Sequence, residues 1–291
     1  MVIEIEHKEI AGIVREQRID ADDIATTFAP SESPTNRFTN MAVTGFTPPM
    51  PASVLILVLS RDLGGALIFF VTYLVMLYVA TRKLFYFAGG LLTGCIAAVV
   101  AYQLFSHVRV RVLAWQDPLS RIENEGYQIC QSLFAIGTGG WFGMGLYQGM
   151  PEKIPVVEQD FIFSAIAEEM GGIFAICLLM VCISCFLMFF NVAMQMKEQF
   201  YKLIALGLGT VYGFQVFLTV GGVTKFIPST GVTLPLVSYG GSSLFSTMIM
   251  FAVVQGLYIR RQDEGAANER KNAAPPRRRK TGFDEDVETF S

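Results

Sequence analysis

The feature that most constrains this chain is a series of long, uninterrupted apolar runs. A helix needs about 20 apolar residues to cross the hydrocarbon core of a bilayer, where only helices and closed barrels satisfy their own backbone groups. Five runs meet that length: 64–80, 84–106, 170–194, 201–221 and 234–259. A sixth run, 41–60, contains three prolines and is weaker. The sequence therefore predicts an all-α, polytopic transmembrane helical bundle of about six spans.

Composition agrees with a membrane protein and excludes some other classes. Only 16% of the residues are charged, whereas a soluble domain carries about 25%. A net charge of −3 gives no reason to expect a nucleic-acid partner. Cys182 and Cys185 form a CxxC pair within an apolar run that has no acidic or histidine neighbour. We interpret them as small residues of a membrane helix rather than as a redox or metal site.

The basic residues predict how the chain is oriented. They follow three of the spans, as Arg82 and Lys83, Lys197 and Lys202, and Arg260 and Arg261. If the spans alternate in direction, all three sites lie on one side, and the positive-inside rule makes that side cytoplasmic. We expect a multi-pass protein of the bacterial cytoplasmic membrane with a cytoplasmic C-terminus. The long segment 107–169 then faces outward.

Changes in composition predict three regions. Residues 1–40 are polar, and we expect them to be disordered. Residues 41–261 form the transmembrane domain, which includes the outer segment 107–169. Residues 262–291 are rich in Arg, Asp, Glu, Ala and Pro, which predicts a disordered cytoplasmic tail.

The outer segment 107–169 is too long for a simple connection. Loops longer than about 12–15 residues are usually functional or disordered, and this one is dense in aromatic residues and glycines. It either forms a site or packs on the helices as a surface-lying segment. Arg109, Arg111 and Lys153 lie on the outer side against the positive-inside bias, so their charge needs another explanation.

Asp160 is the main candidate for a catalytic residue. It precedes an apolar run at the mouth of a span, where burial raises the pKa of a carboxylate and an ionisable group is a functional candidate. The alternative, equally weighted, is that Asp160 caps the following helix. Glu168 and Glu169 are expected to pair with outer cations rather than to relay protons. Asp62, at the outer end between two spans, is expected to pair with a cation.

A second cluster precedes the last span. Between residues 225 and 243, two prolines and several glycines break the helix. Irregular backbone at membrane depth survives only where protein buries it or water lines it. The segment therefore either borders a cavity or packs closely through its small residues. The candidate substrate-binding residues here are Lys225, Ser238, Tyr239, Ser242 and Ser243.

Several short motifs, in order, resemble those of the SEDS family (shape, elongation, division, sporulation), which includes peptidoglycan polymerases of the FtsW, RodA and SpoVE type. They are Arg109 to Pro118, Gly126-Tyr127-Gln128, Gln131-Ser132-Leu133, Ala135 to Gly140, Asp160 to Phe163, Glu168 to Gly171, Pro228 to Pro235 and Ser238 to Ser243. The family has more spans than the six predicted here. The resemblance therefore implies that its N-terminal spans are absent or replaced by residues 1–40.

The resemblance implies a function and assigns roles. The expected activity is that of a peptidoglycan glycosyltransferase, which joins lipid II units into glycan strands at the outer membrane face during division, elongation or sporulation. Asp160 would be the essential carboxylate. Arg109, Arg111 and Lys153 would stabilise the pyrophosphate leaving group, and Gln128 and Ser132 would contact substrate. A divalent cation, Mg or Mn, and a class B penicillin-binding protein are the expected cofactor and partner.

Two other functions remain open at this point. Broken helices and polar groups within the membrane are also typical of transporters, so the chain could move a lipid-linked precursor across the bilayer. The shortened chain could also be an inactive, truncated membrane partner of a penicillin-binding protein. Chain growth, lipid movement and partner binding distinguish the three hypotheses.

Overall fold

The computed structural model describes residues 62–273, with the side chains of residues 62–262. Seven α-helices occur there: α1 Leu63–Thr81, α2 Leu84–Leu104, α3 Ser106–Gln116, α4 Tyr127–Gly139, α5 Ile162–Gln195, α6 Gln199–Val223 and α7 Gly241–Ala273. Single 3-10 turns cover Leu119–Arg121 and Pro151–Lys153. This part of the chain contains no strand. The predicted all-α fold is confirmed.

Five of these helices are long and apolar enough to cross a membrane: α1, α2, α5, α6 and residues Gly241–Gln262 of α7. They correspond to the five long runs in the sequence. The sixth expected span, 41–60, lies outside the described residues, as do the tail regions 1–40 and 274–291.

The boundaries of two spans differ from the prediction. The last helix begins at Gly241 rather than at residue 234, because residues 234–240 form turns. It continues to Ala273, so part of the segment 262–291, which we expected to be disordered, is helical. Helix α5 begins at Ile162, well before the predicted residue 170. Its first two turns contain the charged residues Glu168 and Glu169, so these turns were not part of the apolar run found in the sequence.

Helix α6 is the central packing element of the described core. It packs against α5, α1 and α7. Three rings from three helices meet at its centre: Phe189 of α5, Tyr212 of α6 and Phe251 of α7, with centroids 4.8–5.7 Å apart. Each such tilted or edge-to-face pair stabilises the fold by about 0.5–1.5 kcal/mol beyond the contribution of its buried area. By contrast, α2 has no buried residue, so its apolar surface is open to lipid or to another protein segment.

The outer segment folds onto the ends of α5 and α6. Helix α4 packs along the beginning of α5. A small core forms there from Ala135 of α4, Phe161 and Ala167 near the start of α5, and Val223 at the end of α6. These apolar contacts fix the residues around Asp160 to the ends of two spans.

Helix α5 is split at Gly171. This residue has φ 86° and ψ 169°, which is not helical and is a region open essentially only to glycine. A Cβ atom at this position would overlap the backbone of Trp141, Phe142 and Gly143. The backbone of the loop after α4 can therefore pack into the break in α5 only because residue 171 has no side chain.

The loop after α4 replaces the helical hydrogen bonds that the split removes. In an unbroken helix the amides of Gly172 and Ile173 would bond to the carbonyls of Glu168 and Glu169. Here the carbonyls of Glu168 and Glu169 accept from the amides of Met144 (2.9 Å) and Gly145 (3.0 Å), and the amides of Gly172 and Ile173 donate to the carbonyls of Gly140 (2.8 Å) and Trp141 (3.2 Å). All four freed groups are satisfied, which such a buried break requires.

Candidate functional site

A polar cleft lies beside the irregular segment between α6 and α7. Its volume is about 690 Å³. Side-chain amides, hydroxyls and a phenol line it together with Gly240: Gln159, Gln215, Thr233, Tyr239, Ser242, Ser243 and Ser246. Both interpretations of residues 225–243 hold in part: Thr233 and the residues before α7 border this cleft, whereas Val232 and Ile227 pack closely against Gly64 and Gly221, where a Cβ atom would crowd them.

Side chains from the neighbouring helices hold this irregular segment in place. Gln215 of α6 donates from Nε2 to the carbonyl of Thr233 (3.1 Å). One turn later, the Thr219 hydroxyl donates to the carbonyl of Val232 (2.9 Å). The amide of Tyr239 donates to the carbonyl of Glu158 (2.8 Å), which joins the segment to the outer loop just before Asp160.

Asp160 lies beside a cation and is joined to the cleft through its neighbour in the chain. It follows Gln159, which lines the cleft. A Cβ atom placed on Gly231 would lie 3.6 Å from Oδ2 of Asp160 and 3.7 Å from a guanidinium nitrogen of Arg111. A side chain at residue 231 would therefore crowd the space that the carboxylate and the guanidinium share.

The surroundings of Asp160 shift its protonation. Burial raises the pKa of the Asp160 carboxyl above its ordinary value, and the positive charge of Arg111 offsets part of that rise. A carboxylate that is partly desolvated but still close to a cation holds a proton more readily than an exposed aspartate does. This is the behaviour needed in a group that takes up a proton during a reaction.

The alternative role for Asp160, a helix cap, is not what the structure shows. The N-cap position of α5 is Phe161, and no side chain caps it. Asp62 is the carboxylate that does cap a helix: its Oδ1 accepts from the amide of Gly65 (2.8 Å) at the start of α1.

The four basic residues predicted to bind substrate lie in different parts of the structure. Arg111 is beside Asp160, whereas Arg109 donates to the carbonyl of Gln103 (2.9 Å) at the end of α2. Lys153 lines a separate cavity of about 270 Å³ together with Glu168. Lys225 contributes its carbonyl, which accepts from the indole Nε1 of Trp115 (3.0 Å). Among the four, the structure brings Arg111 to the carboxylate.

Two predicted substrate contacts are engaged within the protein. Gln128 donates from Nε2 to the carbonyl of Pro155 (2.8 Å), which ties α4 to the loop leading to Asp160. Ser132 is fully buried, bonds to the hydroxyl of Ser164 (2.6 Å) and donates to the carbonyl of Val223 (2.9 Å). Ser132 therefore fastens α4 to α5 and α6.

At the split in α5, the two glutamates bond through the Glu168 carboxylate and through both backbone carbonyls, and neither is paired with a cation. Glu168 is 7% exposed, and its Oε1 accepts from the amide of Met150 (3.1 Å). Its Oε2 is buried without a hydrogen-bond partner. Among the described residues, no cation lies within ion-pair distance of Glu168 or Glu169. The expected pairing with outer cations is therefore not what the structure shows.

The hydroxyl residues before α7 have divided roles. Ser238 accepts the amide of Leu234 at its Oγ (2.7 Å) and stabilises the turn. Ser243 bonds to the Thr233 hydroxyl (2.9 Å) inside the cleft wall. Tyr239 is 75% exposed and, with Ser242, presents its side chain to the cleft.

Sequence reasoning missed several residues of the cleft. Gln159, Thr233 and Ser246 line it, and Gly231 gives the carboxylate its space. Gln215 carried a usable signal, because an amide in the middle of an apolar span is costly and needs a partner or a function. The others lie beside quoted motifs but offer no periodicity that would single them out.

The described residues supply no ligand cluster for a metal. No group of three His, Cys, Asp or Glu side chains converges between residues 62 and 262. Asp160 is therefore without the additional carboxylates that a protein-held Mg²⁺ or Mn²⁺ ion normally has.

Comparison with known proteins gives a consistent match. Residues 24–263 match the family described as "Cell cycle protein", which groups FtsW, RodA and SpoVE. The peptidoglycan glycosyltransferase RodA of Mycobacterium tuberculosis is 41% identical over 202 residues, covering 69% of this chain and 43% of the relative. A probable peptidoglycan glycosyltransferase FtsW of Aliivibrio salmonicida is 35% identical over 229 residues, covering 74% of this chain and 55% of the relative.

A solved structure resembles the fold. It belongs to work on the structural coordination of polymerization and crosslinking by a peptidoglycan synthase complex. The TM-score is 0.57 at 29% sequence identity, over 70% of this chain and 58% of the matched chain. The chain thus spans about half the length of the relatives that it matches.

Proposed function

We propose that this chain, which belongs to the SEDS family of FtsW, RodA and SpoVE cell cycle proteins, is a multi-pass protein of the cytoplasmic membrane that acts as a peptidoglycan glycosyltransferase. Its substrate would be lipid II, both as donor and as acceptor. The observation that carries this proposal is the half-buried Asp160 beside Arg111 at the edge of a polar cleft of about 690 Å³.

The reaction assigns a proton to Asp160. A sugar 4-hydroxyl of the acceptor attacks the anomeric carbon of the donor, so that a new carbon–oxygen bond forms. The bond from that carbon to the pyrophosphate oxygen breaks, and the lipid pyrophosphate leaves with both electrons. The hydroxyl proton passes to the Asp160 carboxylate, which acts as general base. The raised pKa of Asp160 favours that uptake.

Arg111 would stabilise the leaving group. Negative charge grows on the pyrophosphate as the bond breaks, and a fixed cation in a partly desolvated site stabilises such charge more in the transition state than in the ground state. Arg111 is held near Asp160, so it serves both the base and the leaving group. A Mg²⁺ or Mn²⁺ ion stays a prediction, to be held mainly by substrate phosphate oxygens.

The cleft and its surroundings suit a substrate with a polar head and an apolar tail. Hydroxyl and amide groups such as Gln159 and Ser242 can hydrogen-bond a sugar. An apolar cavity of about 360 Å³ lies between α1, α5 and α6 and is lined by Val75, Phe186 and Val216. Gln215 of the cleft and Val216 of this cavity are neighbours on α6, so we assign the polar head to the cleft and the apolar tail to the cavity.

The orientation and the partner are parts of the same proposal. The cleft would face outward and the C-terminus inward, as the positive-inside rule predicts. A class B penicillin-binding protein would crosslink the strands that this chain extends. The similarity to a chain from a peptidoglycan synthase complex supports that partnership.

Polymerisation of labelled lipid II by purified protein tests the activity. We expect glycan strands from the wild type and a loss of at least about 100-fold in rate for Asp160→Asn, since a general base contributes about 10²–10⁴-fold. Glu123→Gln is the matched control, because it removes an exposed carboxylate of the same outer segment. Movement of labelled lipid across vesicles without strand growth would instead favour a transporter. If the folded protein shows neither strand growth nor lipid movement, a non-catalytic partner is favoured.

A further inference from the structure

The loop that fills the split in α5 presents a continuous apolar surface. We call residues 140–150 the aromatic loop. Its large apolar side chains are mostly open to the surroundings: Trp141 67%, Phe142 86%, Met144 46%, Leu146 63%, Tyr147 95% and Met150 61% exposed. No charged residue occurs from Gly126 to Pro151. Such a contiguous exposed patch marks a binding surface or contact with a membrane.

The exposure is built into the backbone and is not a loose end. The amides of Met144 and Gly145 and the carbonyls of Gly140 and Trp141 are bonded to the two halves of α5. The backbone of the aromatic loop therefore faces α5, and its large side chains are left on the other side. Tyr147 adopts φ 61°, a left-handed conformation uncommon outside glycine, and its ring is almost wholly exposed.

The position of the loop along α5 identifies what it faces. The stretch Gly172–Phe190 is apolar with Ser184 as its only hydroxyl, and its length is about that of one bilayer crossing. Glu168 and Glu169 precede this stretch, separated from it by Met170 and Gly171. The aromatic loop bonds to residues on both sides of that boundary, so it lies at the end of the apolar stretch that carries the two glutamates.

We propose that the aromatic loop is an interfacial anchor, whose Trp141, Phe142 and Tyr147 insert at the headgroup boundary of the leaflet on the Asp160 side. Trp and Tyr are enriched at this level because each has an apolar ring and a polar group. The absence of charge between Gly126 and Pro151 suits lipid contact. A protein partner is the competing occupant, and the patch offers it no charged contact.

The anchor has a consequence for the site, which rests on the proposed function. The aromatic loop is bonded to the outer piece of α5, which begins directly after Asp160 and Phe161. Holding that piece at the membrane surface would keep Asp160 near the level at which the pyrophosphate of a lipid-linked donor lies. The anchor itself needs no substrate and is tested without one.

The two tryptophans of the chain, Trp115 and Trp141, allow a direct test. The full chain is reconstituted in phosphatidylethanolamine–phosphatidylglycerol vesicles that contain lipids brominated either near the headgroup end or near the tail end of the acyl chains. Trp115→Phe leaves Trp141 as the reporter. Trp141→Phe leaves Trp115, which is half-buried and bonded to the carbonyl of Lys225, as the matched control.

We expect Trp141 fluorescence to be quenched at least about twofold more by the shallow bromines than by the deep ones, with weaker quenching of Trp115. Stronger quenching of Trp141 by the deep bromines would overturn the interfacial position. Quenching by aqueous iodide but by neither lipid would overturn lipid contact altogether. Wild type minus Trp141→Phe gives the same signal if Trp115→Phe disturbs folding. Because no strand is synthesised, failure here is separate from failure of the glycosyltransferase proposal.

Discussion

The aromatic loop and the segment between α6 and α7 are both irregular, and they are held by different means. The aromatic loop is bonded to α5 chiefly through backbone groups, four of which replace the bonds lost at Gly171. The segment between α6 and α7 is held through side chains, including Trp115, Gln215 and Thr219. The first junction depends on the absence of a side chain at Gly171, whereas the second depends on particular polar side chains in addition to close approach at Gly64 and Gly221.

The difference fits what each segment does. Backbone pairing makes the first junction rigid and leaves its side chains free to face outward. Side-chain pairing at the second junction leaves room between the segment and its helices, and the cleft occupies that room. Asp160 lies between the two, since it begins the approach to α5 and also reaches Gly231 of the second segment.

The largest effect is expected from filling the backbone junction. Gly171→Ala would force a Cβ atom into the backbone of Trp141 and Gly143 at a φ/ψ combination that only glycine tolerates. We expect a loss of at least about 3 kcal/mol in the free energy of unfolding, from strain of about 1–3 kcal/mol and the added clash. Thermal melting in detergent measures it.

The control for that change is Gly137→Ala. Gly137 is an exposed helical residue of α4 with nothing within 4 Å of a Cβ atom, and alanine there is expected to stabilise by about 0.5–1 kcal/mol. If Gly171→Ala melts with Gly137→Ala and the wild type, the exchanged hydrogen bonds do not hold the split helix.

A smaller loss is expected from one side chain of the second junction. Thr219→Val keeps the shape of a buried residue but removes the hydroxyl whose proton is shared between the carbonyls of Val232 and Gln215. Leaving that carbonyl without this partner costs about 1–3 kcal/mol, and polymerisation should fall because the cleft wall loosens. Melting and strand synthesis are measured together.

The matched control is Thr210→Val on the same helix. The Thr210 hydroxyl donates only within α6, to the carbonyl of Leu206 (2.8 Å), so its loss leaves the irregular segment in place. Equal destabilisation by the two valines would show that Thr219 does not hold the segment through Val232.

The smallest effect, and the most specific, concerns the pH dependence of the rate. Asp160 must be ionised to accept a proton, so polymerisation falls as pH is lowered through its pKa, which burial has raised. Arg111→Gln removes the charge that offsets this rise. We expect the acid side of the pH–rate profile to move to higher pH and the maximal rate to fall by about tenfold or more.

Arg109→Gln is the comparison variant for that profile. Arg109 donates to Gln103 and lies over the ring of Tyr102, away from the carboxylate. Its profile should keep the wild-type acid limb. A shift of the same size in both variants would indicate a general effect of charge and would contradict a specific effect of Arg111 on the pKa of Asp160.

The sequence predicted the helical core closely but could not divide its polar residues by role. Arg109 and Arg111 are two positions apart and chemically identical, yet one turns to the end of α2 and the other to Asp160. Ser132 and Ser242 are both serines in recognised motifs, but the first is buried between helices and the second lines the cleft. Side-chain direction depends on contacts between distant parts of the chain, which composition and spacing do not contain.

The sequence by itself determined which stretches enter the membrane, because the transfer of about 20 apolar residues into hydrocarbon is a local property of those residues. It also singled out Asp160, since a carboxylate at the mouth of a span is conspicuous in one dimension. Only the tertiary structure decided that α5 breaks at Gly171 and that Trp115 holds Lys225, a residue 110 positions away. The physical reason is that both depend on backbone groups whose partners are brought together by the packing of α4, α5 and α6.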